Sequence, residues 1–267
     1  MQRTFDSEQE KVDSKLDIIT TMNRRHFLTT ISLSPVFAND YFTDSNDIYL
    51  SYQEFVTLKV LNKRLKRLRR FIGYGNFNIV SFKDALFYGR NYSTIGLFTK
   101  DELALVDKLF LENPEQYGFF GTKTCTDINN KISAKDIIKV PHTGHYLFKG
   151  KPVEDYSKLK KDIGHTLVLT SGVRNVVKQL SLYCNKLYHN GGNITQASIQ
   201  IAPPAYSYHT VSDFDVGRRG WGYKNFTDAF ASTLEFKKMK KLDYISMRYK
   251  KNNSDGVRFE PWHVEVI

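Results

Sequence analysis

The sequence predicts an α+β protein whose N-terminal part is helical and whose C-terminal part combines strands with helices. Between about residues 46 and 115, apolar residues recur at spacings of three and four, the period of an amphipathic helix. Residues 166–170 (TLVLT) instead have the composition of a buried strand, and residues 197–202 (ASIQIA) alternate like one. Further helices are predicted after Arg174 and over about residues 226–242. We therefore expect a helical region at 39–135 and a domain with a sheet at 136–267.

The first 38 residues have the features of an export leader. Residues 1–21 are polar, and residues 22–38 (MNRRHFLTTISLSPVFA) place paired arginines before Phe-Leu and a short apolar run. This order is typical of a twin-arginine signal, with cleavage before Asn39 and Met22 as a candidate start. The protein would then be periplasmic or secreted. A chance Arg-Arg pair before a buried helix is the alternative.

The composition favours anionic partners but does not choose among the classes of anionic molecule. Lys and Arg outnumber Asp and Glu by 39 to 28, for a net charge of +11, which favours nucleic acid, acidic lipid or an acidic cell-wall polymer. No apolar run is long enough to span a bilayer, so no membrane anchor is expected. Cys125 and Cys184 could form a disulfide in an oxidising compartment or remain two buried thiols, and the sequence leaves both open.

The helical region carries the most basic run of the chain but no catalytic residues. Residues 63–70 (KRLKRLRR) have leucines three apart, which indicates an amphipathic helix with a solvated basic face. Because motifs that stack on bases are also missing, we do not expect nucleic-acid binding. Thr99 followed by Glu102 predicts a helix start. We expect this region to pack on the catalytic domain or to contact the substrate.

Residues that could hydrolyse a peptide bond with zinc stand near the C-terminus. A catalytic zinc takes three protein ligands and leaves a position for water, which a nearby carboxylate deprotonates. His209, Asp215 and His263 could supply the ligands, with Glu260 as the base. Arg174 could oppose the charge that develops on the intermediate. A lone histidine is more often structural, so the spacing alone leaves both interpretations open.

Three ordered motifs stand within residues 160–267. The first is Ser-Gly-x-Arg…Gln, ending at Gln179. The second is Ser-x-His…Asp, which starts at Ser207, and the third is Glu-x-Trp-His, which ends at His263. With these motifs the segment resembles the VanY-type D-alanyl-D-alanine carboxypeptidases, a family of zinc peptidases that act on peptidoglycan. The resemblance implies a small domain in which helices and a central antiparallel sheet hold the metal.

The resemblance also implies a role for each motif residue. Zinc would be bound by His209, Asp215 and His263, with Glu260 as general base and Arg174 polarising the scissile carbonyl. Gln179 and Ser207 would lie near the C-terminal end of the substrate, and Trp262 would form a wall of the pocket.

One departure from the family pattern concerns the second ligand. The interval from His209 to the acid is one residue shorter than usual, and Ser212 stands where the family has glycine. Asp215 lies in the family's hydrophobic-Asp-Val context and is the predicted ligand, while Asp213 is the alternative.

We therefore expect a zinc-dependent D,D- or L,D-carboxypeptidase that shortens peptidoglycan peptide stems. A cross-link endopeptidase is the near alternative, and a murein-binding module without activity is the more distant one. A second metal at His142 and His145 is disfavoured, because glycine and proline place this pair in a loop without a third ligand.

Overall fold

This computed structural model describes residues 46–267, and four helices form the first part of this range. They are α1 (Tyr52–Ile72), α2 (Tyr74–Phe77), α3 (Phe82–Asn91) and α4 (Lys100–Leu111). The predicted start of α4 is confirmed, because Thr99 and Glu102 form a capping box. The helices predicted over about residues 46–115 are confirmed. A start such as that of α4 is predictable because a capping box is encoded within four residues.

Helix α1 is amphipathic as predicted, but its basic face is not wholly solvated. Leu58, Leu61, Leu65 and Leu68 are completely buried. The prediction is wrong at Arg64, which is buried because its guanidinium binds Glu102 of α4, with Nε 2.8 Å from Oε1.

The C-terminal part contains two small antiparallel sheets. In the first, β1 (Ile137–Lys139) pairs with β2 (Tyr146–Phe148). The second has the order β3-β4-β6-β5 and is antiparallel throughout. Its strands are β3 (Leu167–Ser171), β4 (Phe214–Arg218), β5 (Ser246–Met247) and β6 (His263–Glu265). The α+β fold class and the strand predicted at residues 166–170 are confirmed.

The remaining helices are α5 (Lys151–Ile163), α6 (Val176–His189), α7 (Ile194–Gln200) and α8 (Leu234–Met239). The strand predicted at residues 197–202 is wrong. Asn193 caps a helix there by accepting the Gln196 N–H, and the buried positions Ile194, Ala197 and Ser198 follow a helical period.

The helix predicted at about residues 226–242 is only partly correct. Two 3₁₀ turns, Gly222–Phe226 and Asp228–Ser232, precede the short helix α8. Thr233 starts α8 anew because its side chain accepts the Phe236 N–H.

The apolar core crosses the predicted boundary near residue 135. Leucines of α1 and α6, such as Leu61 and Leu180, belong to one cluster, while α5 packs against β2 and β3 in another. Residues 46–267 fall in a single compact unit, and the division at 135 stays a prediction. Cys125 and Cys184 lie in different clusters and are free thiols.

No helix among the described residues is long and apolar enough to cross a bilayer. The predicted leader, with its paired arginines and the candidate start at Met22, lies outside the described residues.

Candidate metal centre

The register of the larger sheet brings three motif residues into one row. Ser171 on β3 pairs with Asp215 on β4, and Asp215 pairs with His263 on β6. Directly paired residues of antiparallel strands point to the same face of the sheet. The sheet therefore places Asp215 between the serine and the histidine on one surface.

His209 reaches this row from the 3₁₀ turn Tyr208–Thr210, which precedes β4. Its Nδ1 lies 2.9 Å from the Gly172 carbonyl oxygen, and its Nε2 lies 3.2 Å from Asp215 Oδ1. Gly172 has to be a glycine, because a Cβ there would lie 2.0 Å from the Tyr146 carbonyl oxygen. Since Nδ1 donates to a carbonyl, Nε2 keeps its lone pair.

The ligand atoms of His209, Asp215 and His263 all lie within 4.8 Å of one another. The three residues are 1%, 1% and 3% exposed. His209 Nε2 and Asp215 Oδ1 are buried without a hydrogen-bond partner among the described residues. An unpaired buried polar atom is costly. A metal ion would satisfy both atoms, so this donor set fits zinc, which prefers imidazole and carboxylate ligands.

His263 and Asp213 define the outer edge of the cluster. His263 Nδ1 lies 3.4 Å from Asp215 Oδ1, and its Nε2 lies 3.1 Å from Asp213 Oδ2. Asp213, the alternative ligand, is therefore on the far side of the His263 ring from His209 and Asp215.

Burial and charge give the two histidines opposite pKa shifts. Burial, and then the Arg174 charge, lower the pKa of His209 to about 4. Burial opposes protonation of His263 as well, but hydrogen bonds with Asp213 and Glu260 raise its pKa to about 9.

Asp215 is held in its charged form. Burial alone would raise its pKa, but its interactions with His209 and Arg174 hold the pKa of this carboxyl well below its usual range. A carboxylate beside a neutral imidazole is the protonation state that metal binding requires.

Glu260 and Arg174 flank the cluster. Glu260 is 9% exposed, and its Oε2 lies 3.5 Å from His263 Nδ1. The guanidinium of Arg174 binds the second oxygen of Asp215 and donates from Nε to Ser171 Oγ at 2.8 Å. A base and a cation therefore stand beside the candidate ligands.

The three residues predicted to contact substrate are buried. Gln179 is fully buried, with Oε1 3.4 Å from Arg174 Nη1 and Nε2 donating to the Ala202 carbonyl at 2.7 Å. Ser207 and Trp262 are each 2% exposed, and Trp262 belongs to the core beside the sheet. Their contacts with substrate stay predictions.

Sequence reasoning missed Lys178, and it considered His145, also near Arg174, only as a candidate ligand of a second metal. Burial, and then the Arg174 and Arg69 charges, lower the pKa of Lys178 to about 7. Burial, and then the Lys178 and Arg174 charges, lower the pKa of His145 to about 4. Lys178 directly precedes Gln179 of the first motif, and this adjacency was the available signal.

No second metal group appears among residues 46–267, where His209, Asp215 and His263 form the only one. His142 and His145 do not belong to it. A cavity of about 760 Å³ is lined by residues of α1, α2 and α3 and by residues 131–134, and none of the predicted site residues lines it.

Comparison with known proteins identifies the domain that holds the cluster. The family model of the VanY D-alanyl-D-alanine carboxypeptidases matches residues 151–267. No curated protein is significantly similar to the chain.

Three solved structures are similar at low identity. A zinc complex of a variant of the vancomycin-resistance D,D-pentapeptidase VanY is 17% identical, covering 49% of this chain and 77% of that chain, with a TM-score of 0.35. VanYB in complex with D-Ala-D-Ala is 19% identical, covering 51% and 81%, with a TM-score of 0.37.

The D,D-dipeptidase VanXYg, bound to a D-Ala-D-Ala phosphinate analogue, is 20% identical, covering 48% of this chain, with a TM-score of 0.41. This match spans about half (53%) of the dipeptidase. The family resemblance predicted from the motifs is confirmed by the family model, because the model of the VanY D-alanyl-D-alanine carboxypeptidases matches residues 151–267.

Proposed function

We propose that this protein is a zinc-dependent D,D-carboxypeptidase that removes the terminal D-alanine from peptidoglycan stem peptides. One observation carries the proposal: His209 Nε2 and Asp215 Oδ1 are buried without hydrogen-bond partners among the described residues and lie with a His263 nitrogen within 4.8 Å. The family of residues 151–267 gives this donor set its reaction class.

Glu260 is the proposed general base. Zinc held by the three residues would supply Lewis acidity and lower the pKa of a water toward neutrality. The carboxylate of Glu260, 3.5 Å from His263 Nδ1, would take the proton of the attacking water. It would then return that proton to the amine of the departing D-alanine.

Arg174 is the proposed electrostatic partner of the scissile carbonyl. Negative charge develops on the carbonyl oxygen during attack, and a fixed cation in a buried site opposes it. Ser171 and Gln179 hold the guanidinium in place, which supports this role. Loss of one such donor typically costs about 10²–10³ in kcat.

The positive charge of the chain agrees with the proposed substrate. Peptide stems carry free carboxylates, which a chain of net charge +11 attracts. Ser207, Gln179 and Trp262 are proposed to shape the end of the pocket that receives the terminal residue. Such a substrate lies outside the cytoplasm, so the proposal includes export by the twin-arginine leader.

Mass spectrometry of defined muropeptides tests this function. We expect the wild-type protein to remove one alanine from a stem that ends in D-Ala-D-Ala, and a chelator to abolish the loss. Glu260→Gln should lower the rate by about 10²–10⁴ while zinc content stays the same. Glu235→Gln is the matched control, because Glu235 is also buried but faces Arg218.

The products separate the alternatives. Loss of alanine only from stems with an L–D terminal bond would assign an L,D-carboxypeptidase. Cleavage of cross-linked dimers alone would assign an endopeptidase. Zinc-loaded protein that binds murein and cleaves nothing would contradict the proposed activity and favour a binding module.

A further inference from the structure

Asp213 lies behind His263, two residues from the proposed ligand Asp215, and is almost completely buried. Its Oδ2 lies 3.1 Å from His263 Nε2. The same carboxylate forms a two-bond ion pair with Arg248, which comes 35 residues later in the chain. The second motif offers Asp213 only as an alternative ligand, and neither the motifs nor the family match assigns Arg248 a role.

The hydrogen bonds of Asp213 argue against a role as a metal ligand. Besides His263 and Arg248, the carboxylate accepts the backbone N–H of Val266 at 3.1 Å and lies 3.4 Å from Ser212 Oγ. A carboxylate has about four acceptor positions, and these donors fill them. Asp215 differs, because its Oδ1 has no hydrogen-bond partner among the described residues.

Arg248 connects this carboxylate to both histidine segments. Its Nη1 lies 3.1 Å from Glu265 Oε1 on β6, the strand of His263. Its guanidinium carbon lies 3.6 Å from the centre of the Tyr208 ring, and Tyr208 directly precedes His209. Arg248 therefore packs against Tyr208, the neighbour of His209, and it pairs with Asp213, which contacts His263.

We propose that Asp213, anchored by Arg248, is a positioning residue for the metal centre: it accepts the Nε2–H of His263 and so directs the Nδ1 lone pair toward Asp215 and His209. Outer carboxylates commonly fix the tautomer and orientation of metal-bound imidazoles. The inference rests on the proposed zinc site, and it assigns the two acids near His209 different roles.

Zinc affinity and an NMR signal test the proposal together. Zinc is titrated in competition with a chromophoric chelator, using wild type, Asp213→Ala, Asp213→Asn and Asp215→Asn. We expect Asp213→Ala to weaken zinc binding by about 10–100-fold. Asp213→Asn should lose less, because its amide oxygen can still accept the Nε2–H. In the zinc-loaded wild type, ¹H–¹⁵N spectra should show a protected His263 Nε2–H that Asp213→Ala loses.

Controls distinguish positioning from general damage. Asp155→Asn alters another buried acid in an ion pair, with Lys151, and should keep wild-type zinc affinity. If Asp213→Ala does not fold, Asp213→Asn and Arg248→Lys carry the test with the same two measurements.

Two outcomes overturn the proposal. Unchanged zinc affinity with an unchanged Nε2–H signal would make the Asp213–Arg248 pair purely structural. A loss of affinity as complete as that of Asp215→Asn would make Asp213 a ligand. A wild-type protein that binds no zinc would instead refute the metal site of the proposed function, so the two failures are distinguishable.

Discussion

The helical region and the sheet each bury a cluster of charges, and the two clusters differ in what is left unpaired. In the helical region, Glu102 binds Arg64 with both oxygens and also accepts the Thr99 N–H that starts α4. On the sheet, Asp215 binds Arg174 with one oxygen, while its other oxygen and His209 Nε2 have no hydrogen-bond partner among the described residues. We call the Arg64–Glu102 cluster closed, because its charges pair with each other, and the Asp215–His209 cluster open. A closed cluster stabilises a fold, whereas an open one can bind a ligand.

The largest expected effect on stability comes from breaking the closed cluster. Glu102→Ala should lower the free energy of unfolding by about 3–5 kcal/mol, because it leaves the Arg64 charge buried and unpaired. Zinc affinity should not change. Urea unfolding and zinc titration of the same samples measure both.

Glu54→Ala is the matched control for that variant. Glu54 also completes a capping box, with Ser51, and pairs with Lys108 at 2.7 Å, but this pair is about 30% exposed. We expect a loss of about 1–2 kcal/mol from the cap and the exposed pair. Equal losses in the two variants would contradict the special role of burial at Arg64.

A somewhat smaller effect should come from filling the open cluster. Zinc at about 100 times its Kd should stabilise the protein by about 2.7 kcal/mol. The gain should be the same in Glu102→Ala, because the clusters are separate, and it should disappear in Asp215→Asn. Thermal unfolding with and without zinc checks this, and an equal gain in Asp215→Asn would place the metal elsewhere.

The burial of His145 beside cations near the open cluster should also appear in the pH dependence of the zinc-free protein. The pKa of His145 falls from 6.5 to about 4 on folding, chiefly through burial and then the Lys178 and Arg174 charges. Because the folded pKa is the lower one, this contribution to stability is complete above pH 6.5 and is lost as the pH falls toward 4.

His145→Gln should therefore lose less stability than wild type on going from pH 7 to 4.5, by about 1–3 kcal/mol. Urea unfolding at the two pH values measures the difference, and His165→Gln, at an exposed position, is the control. Identical losses in His145→Gln and wild type would mean that folding does not lower the pKa of His145.

The smallest expected effect concerns the two thiols, which belong to neither cluster. Cys125 and Cys184 are free and buried, so a reductant should leave the melting temperature unchanged. Thiol titration should find both reactive only after unfolding. A lower melting temperature with reductant would indicate a disulfide.

Features encoded over a few residues were predictable from the sequence. The start of α4 depends on Thr99 and Glu102, which are three residues apart, and the strand at 166–170 on a short apolar run. The candidate ligands could be proposed because each lies in a short motif, and the pairing of β4 with β6 brings two of them together.

Features that depend on distant partners were not predictable. The burial of Arg64 requires a glutamate 38 residues away, and nothing near it in sequence indicates this pairing. Asp213 and Arg248 are 35 residues apart in sequence, and nothing near Asp213 indicates this pairing. Asp213 was therefore predicted as the alternative ligand. Residues 197–202 fit a strand pattern, but a cap at Asn193 started a helix instead.

Diffraction from zinc-loaded crystals, with anomalous data collected on both sides of the zinc absorption edge, tests the central claim most directly. The account predicts one strong anomalous peak within bonding distance of His209 Nε2, Asp215 and His263 Nδ1, with Asp213 outside the coordination sphere. A peak coordinated by Asp213 in place of Asp215, or no peak at these residues, would contradict it.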